Sequence, residues 1–376
     1  MPFSASPFNA VDALVLTELA YTDFSGILGT GKKRIPLKEV QKQFWQAHTE
    51  DEVLATPGFT KMSPFLLNGM AAGDRFGGVK MSFYLDQVVA KADMQLSAVT
   101  YWLPDGTAFI AFRGTDTTVV GWKEDFNLSY QPETEGQHQA AEYLNRHFAS
   151  SSFSLRIGGH SKGGNLAVFS SVRAKKAVRD RILTVYDNDG PGFLKPFTES
   201  ENYREMLPRI ISVVPEGSVI GALLHNEARQ LVVKSSAFGI MQHDGFTWQV
   251  LGKGFVEAEK RSEKSLLIEA TLRQWLEGLS DESRQQFINS LFSLFEATGK
   301  ETFAEILQEK GKSLSSMRKM LENIPREQRE AALAVVGRLI RVGGDNLYQD
   351  AKRGFRALLD NIASFPDHDR KQEKPS

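Results

Sequence analysis

The sequence predicts an α/β protein: a mostly parallel central sheet flanked by helices on both faces, with a helical extension at the C-terminal end. Three observations carry this. Short β-branched and aromatic runs alternate with helix-patterned stretches between residues 96 and 234. A glycine-rich turn at 158–164 joins one of those runs to a helix of small residues. Strand signals then stop after Gly254, and residues 262–341 read as helix.

Taken in order, Val11, Leu14, Val15, Leu19 and Phe24 recur at helical spacing and predict an amphipathic helix laid on a core. Residues 37–93 carry further helical patterns, among them 37–48, separated by Pro57-Gly58 and Gly77-Gly78. LSAVTYWL at 96–103 and TAFIAF at 107–112 flank Pro-Asp-Gly at 104–106 and predict a hairpin. A helix over 135–148, a strand over 153–157, a helix over 162–176 and strands over 181–186, 209–214 and 230–234 follow. Phe287, Ile288, Leu291, Leu294 and Phe295 mark the late helical region, where Pro325 fits a first helical turn and Gly343-Gly344 a stop. The closing PDHDRKQEKPS has too little apolar content to pack. The expected division is a main domain over 1–254 that includes the N-terminal helices, a helical extension over 255–345, and a terminal helix with a disordered tail over 346–376.

Composition narrows the function. Forty-five basic residues against 46 acidic ones give a net charge of -1, so no global field draws the chain to nucleic acid or anionic lipid. With no cysteine, disulfides, thiolate metal sites and a cysteine nucleophile are excluded. No apolar run approaches the roughly 18 residues a membrane span needs, and the N-terminus, with Asp12 and Glu18 in its apolar stretch, is a poor secretory signal. The expected location is the cytoplasm. The histidines lack metal-ligand spacing, and GTGKKR at 29–34 lacks the earlier glycine and the Ser/Thr of a phosphate-binding loop, so no metal or cofactor is expected.

The chemistry concentrates at FSLRIGGHSKGGNLAVF, residues 153–169. A strand running through Gly159-His160-Ser161-Lys162-Gly163 into a helix is the nucleophile-elbow pattern of an α/β-hydrolase. The turn is strained, and glycine at 159 and 163 lets backbone pass close. Ser161 is the expected nucleophile, and the Lys162 N–H an expected oxyanion donor, because that donor is the residue after the nucleophile. A serine hydroxyl needs a base, which in this fold comes later in the chain. His243, in a loop entering a late strand, is favoured over His225, which ends the helical pattern VIGALLH. Asp189 and Glu216 both follow strands beyond the elbow, and either can be the acid that orients the histidine.

AFIAFRGTDTTVVGWKEDFNL at 108–128 resembles the F-R-G-T…W…D signature of the class-three lipases, and GGHSKGGNLAVF resembles their elbow. AVDALVLTELAYTDF, VYDNDGPGF and VVKSSAFGIMQHDGFTWQV resemble the bacterial Mbeg-like proteins of the same superfamily, over roughly residues 8–345. The resemblance implies that Ser161 is the nucleophile, His243 the histidine ahead of Trp248, Thr115 an oxyanion-hole residue and Asp125, after Trp122, a structural acid. Where class-three lipases carry the triad aspartate, this chain has PEGSVIG, with Glu216 nearby and Ser218 at about the aspartate's place.

The expected function is a serine hydrolase of carboxylic ester or related acyl substrates; a catalytically weak or inactive hydrolase fold used as a binding module is the alternative. Residues 116–152 carry the polar QPETEGQHQ where superfamily lipases have an apolar helical lid, which favours a carboxylesterase, lysophospholipase or acyl-thioesterase over a triglyceride lipase. The expected partner is a small-molecule or lipid-like acyl substrate. GFLKPF at 192–197 and VIGALL at 219–224 are core segments or walls of an acyl pocket. The C-terminal helices serve as a cap, a homodimer contact or scaffolding.

Overall fold

The computed structural model describes residues 1–296 apart from 57, 58, 117 and 279. The features expected at Pro325, Gly343-Gly344 and the C-terminal tail lie outside the described residues.

Eight strands form one sheet whose spatial order follows the chain: β1 (Ile35–Pro36), β2 (Lys80–Val89), β3 (Met94–Trp102), β4 (Ala108–Phe112), β5 (Leu155–His160), β6 (Ile182–Asn188), β7 (Ile210–Pro215) and β8 (Arg229–Val233). β1 to β4 pair antiparallel, and β4 to β8 pair parallel. The helices are α1 (Ala10–Leu19), α2 (Leu37–Ala47), α3 (Glu50–Ala55), α4 (Leu66–Ala72), α5 (Val119–Asn127), α6 (Glu135–Phe148), α7 (Lys162–Arg173), α8 (Lys176–Arg179), α9 (Lys195–Thr198), α10 (Glu201–Met206), α11 (Glu263–Glu277) and α12 (Asp281–Glu296). A two-stranded hairpin, β9 (Val250–Leu251) with β10 (Gly254–Phe255), precedes α11. This is the α/β-hydrolase arrangement: a largely parallel sheet with helices on both faces.

Strand alternation decides which helix covers which face. Ala108, Ile110 and Phe112 of β4 pack in one cluster with Leu144 and Phe148 of α6 and Leu166 and Phe169 of α7. Phe109 and Ala111 face the opposite cluster with Leu16 and Leu19 of α1, Leu37 and Val40 of α2 and Leu67 of α4. Burying each such large side chain contributes about 1.5–3 kcal/mol. The β3–β4 connection is the expected hairpin: Gly106 takes φ +83, and the Thr107 amide donates to Asp105 Oδ1 at 3.0 Å.

Three expectations change. Residues 37–93 are not helical throughout, since they contain β1 and the ten-residue β2. A register shift between Ser82 and Leu85 puts Phe83 at φ +53, and this bulge breaks the period-two pattern that would have marked the strand. α1 is not an amphipathic surface helix, because Asp12, Thr17 and Glu18 are buried together with its apolar residues. Finally, 116–152 holds a helix in α5, with Trp122 and Phe126 exposed one turn apart, while QPETEGQHQ supplies the Thr134 cap and first turns of α6.

Candidate active site

β5 delivers the chain into a tight bend. Ser161 has φ 58 and ψ -132 and caps α7, a positive-φ conformation that a residue with a side chain adopts only under constraint. A Cβ on Gly159 would stand 2.0 Å from the Gly163 carbonyl oxygen, and one on Gly163 would stand 2.2 Å from the Phe112 oxygen. No other residue fits at either position. The Ser161 amide donates to Asn188 O at 2.9 Å, which ties the bend to β6. Lys162 opens α7, so its amide has no acceptor within the helix.

β6 ends at Asn188, and the next residue, Asp189, has φ +52 and no solvent exposure. Its Oδ2 accepts a hydrogen bond from His243 Nδ1 at 2.7 Å. Its Oδ1 accepts from Ser218 Oγ at 2.5 Å and from the Gly221 amide at 3.1 Å. A carboxylate only accepts, so this contact keeps the His243 proton on Nδ1 and leaves the Nε2 lone pair free. The His243 ring lies 4.6 Å, centroid to centroid, from that of His160, the residue immediately before Ser161.

Of the two carboxylates left open by the sequence, Asp189 bonds to His243 and Glu216 does not. Glu216 follows β7, where its amide donates to Val233 O and its carbonyl accepts from Ser262 N, so it joins β8 to the chain ahead of α11. Ser218 supplies a hydroxyl to Asp189. His225 does not sit on a helix: only Ile220–Ala222 form a short 3₁₀ turn, and the His225 backbone pairs with Phe193.

His160 lies against His243. Its Nε2 donates to the His243 carbonyl at 2.7 Å, so Nδ1 is the acceptor and the Tyr21 hydroxyl donates to it at 3.0 Å. Burial, and then the neighbouring His243, hold its pKa down at about 3, so the ring is neutral at pH 7. Glu18 is 3.7 Å from His160 Nδ1, and burial followed by Asp244 pushes its pKa up to about 8. Nothing in the local sequence of α1 announces that Glu18 and Tyr21 back a histidine at 160.

Thr115 donates its hydroxyl to Asp125 Oδ2 at 2.5 Å, and burial raises Asp125 to about 6 against the opposing pull of Lys162. The Lys162 side chain is 1% exposed, where its place in a turn would suggest a solvated lysine. Its Nζ bonds to Glu124 Oε2 at 2.9 Å. Neither the lysine's burial nor its partner is visible in sequence spacing.

α11 and α12 rest on segments of this site. The Ser265 hydroxyl donates to Ser218 O, and Phe126 of α5 meets Phe292 of α12 with ring centroids 5.5 Å apart. A cavity of about 440 Å³ opens beside them, and Leu194, Phe197 and Leu224, from the two segments read as core or as acyl-pocket wall, line it with Arg273 and Arg284. Ser161 and His243 are not among its lining residues. Among the described residues, no group of three His, Asp or Glu side chains is placed to hold a metal ion, and no helix is long and apolar enough to cross a membrane.

Solved structures similar to this chain include a Rhizomucor miehei lipase propeptide complex (12% identity, TM-score 0.34, covering 56% of this chain and 75% of that one). M37 lipase is similar at 11% identity and TM-score 0.34 (57% and 70% covered), and Yarrowia lipolytica Lip2 lipase at 11% and 0.31 (54% and 78%). No curated protein matches the chain. A family model does match, over residues 70–293 and thus more than half the chain: the protein belongs to the Mbeg1-like family.

Proposed function

We propose that the protein is a serine hydrolase that cleaves carboxylic esters or related acyl substrates through an acyl-enzyme on Ser161. The observation that carries the reading is the 2.7 Å bond between Asp189 and His243, in a loop packed against the residue that precedes a positive-φ serine. Ser161 Oγ attacks the acyl carbon and His243 Nε2 takes its proton. The oxyanion forms toward the amides of Lys162 and Thr115, and His243 returns the proton to the leaving oxygen or sulfur. Water, deprotonated by the same imidazole, then releases the acid. Asp189 holds the tautomer and stabilises the imidazolium. The substrate class is the dispersed acyl ester or thioester, including lysophospholipids, and the location the cytoplasm.

Incubation with a fluorophosphonate probe and with short p-nitrophenyl esters tests this. Labelling and turnover that both vanish in Ser161→Ala support it. No labelling, with turnover equal to buffer, favours a hydrolase fold kept for binding.

A further inference from the structure

α5 aims two consecutive carboxylates inward, and each meets one candidate oxyanion residue. Asp125 takes the Thr115 hydroxyl, and Glu124 takes the ammonium of Lys162, whose own amide is the other candidate donor. All three Nζ protons of Lys162 have acceptors: Gln95 O at 2.9 Å, Gln95 Oε1 at 2.7 Å and Glu124 Oε2 at 2.9 Å. Glu124 in turn accepts the Gln95 amide at 2.9 Å, the Thr134 hydroxyl at 3.1 Å and the Gly136 amide at 2.8 Å. One ion pair therefore joins the start of β3, α5, the cap of α6 and the first residue of α7. Both side chains are 1% exposed.

Stability is a weak reason for such a pair, since buried ion pairs replaced by apolar residues of similar volume often leave a fold as stable or more so. Its location offers another. Lys162 Nζ is anchored by these three acceptors while its backbone opens α7, so the residue after the nucleophile is held at both ends, and α5 occupies the stretch between the Thr115 segment and the nucleophile strand. We propose that the Lys162–Glu124 ion pair is a positioning element that fixes the oxyanion pocket, holding the Lys162 amide and the Thr115 segment in register and keeping α5 docked. This rests on the reading of Ser161 as nucleophile. Donors fixed in advance act on the transition state more than on the bound substrate, so loosening them lowers kcat and leaves KM in place.

The test uses the full chain and the variants Lys162→Met, Glu124→Gln and the double variant. Active sites are titrated with a fluorophosphonate so that unfolded protein is not counted. Turnover of p-nitrophenyl butyrate and inhibition by phenylboronic acid are then measured. The boronic acid forms a tetrahedral serine adduct that needs the oxyanion pocket. The expected result is a loss of kcat per titrated site of roughly 10- to 100-fold, as for a misplacement of about 1 Å. KM stays within about twofold, and boronate affinity falls in parallel with kcat. If a single variant fails to fold, the double variant, which strands no buried charge, carries the same measurement. Unchanged kcat per site and boronate affinity, with only a lower melting temperature, overturn the proposal alone. Failure of wild-type protein to label overturns the nucleophile reading and the proposal together.

Discussion

Asp189 and His243 meet at 2.7 Å across 54 residues of chain, and the aspartate leaves β6, next to the strand that runs into the Ser161 bend, while the segment after β7 carries Glu216 and Ser218. The hydroxyl of Ser218 reaches back to the second oxygen of Asp189. The segment after β7 thus hydrogen-bonds the carboxylate that meets His243 without supplying it.

Asp189→Asn is expected to lower kcat by roughly 10⁴-fold, because an amide in this place stabilises the wrong imidazole tautomer. Glu216→Gln is expected to stay within about twofold of wild type. Steady-state kinetics on p-nitrophenyl esters checks both, and a larger effect at 216 than at 189 reverses the assignment of the acid.

Ser218→Ala removes one of the three hydrogen-bond donors that Asp189 accepts from. Stability should fall by about 1–3 kcal/mol, the usual consequence of taking one partner from a buried polar group, and kcat should fall severalfold. Urea unfolding with parallel kinetics reads the two effects separately.

Gly163→Ala forces a methyl group to within 2.2 Å of the Phe112 carbonyl, a backbone atom that cannot rotate away. A loss of about 1–3 kcal/mol or more is expected, with the elbow displaced and fluorophosphonate labelling abolished. Thermal melting near the wild-type value, with normal labelling, would show that the bend has room.

Glu18 has its pKa raised from 4.5 to about 8 by burial, so the native state holds the proton more tightly than the unfolded chain. Its contribution is complete below pH 4.5 and is lost as pH rises toward 8, giving stability a falling slope in that window. His160, lowered to about 3, acts in the opposite sense below its ordinary value of 6.5. The clean comparison is therefore from pH 6.5 to 8.5, where Glu18→Gln should lose less stability than wild type, by a difference on the order of a few kcal/mol. Chemical denaturation across that range decides it.

What the sequence disclosed follows from how local each signal is. The elbow lies within seven residues, and the hairpin announces itself through Pro104, Asp105 and Gly106, so both were legible. β2 was hidden because the bulge at Phe83 spoils its alternation. The choice between Asp189 and Glu216 could not be made locally, since both follow parallel strands and only the approach of the 239–243 turn separates them. The burial of the Lys162 side chain was out of reach for a related reason. Its burial depends on Gln95 and Glu124, 67 and 38 residues away, and no spacing rule connects them.

The position of α1 has a consequence for how the molecule is made. Leu14 packs with Val213, Val233, Trp248 and Phe255, so α1 finds several of its neighbours among residues synthesised much later in the chain. Until then it carries an uncovered apolar surface and a carboxyl group suited to a dry interior. Chains cut short of the 248–255 segment should aggregate, and a fragment trimmed to begin at residue 70 should lose the wall behind His160 along with the helix.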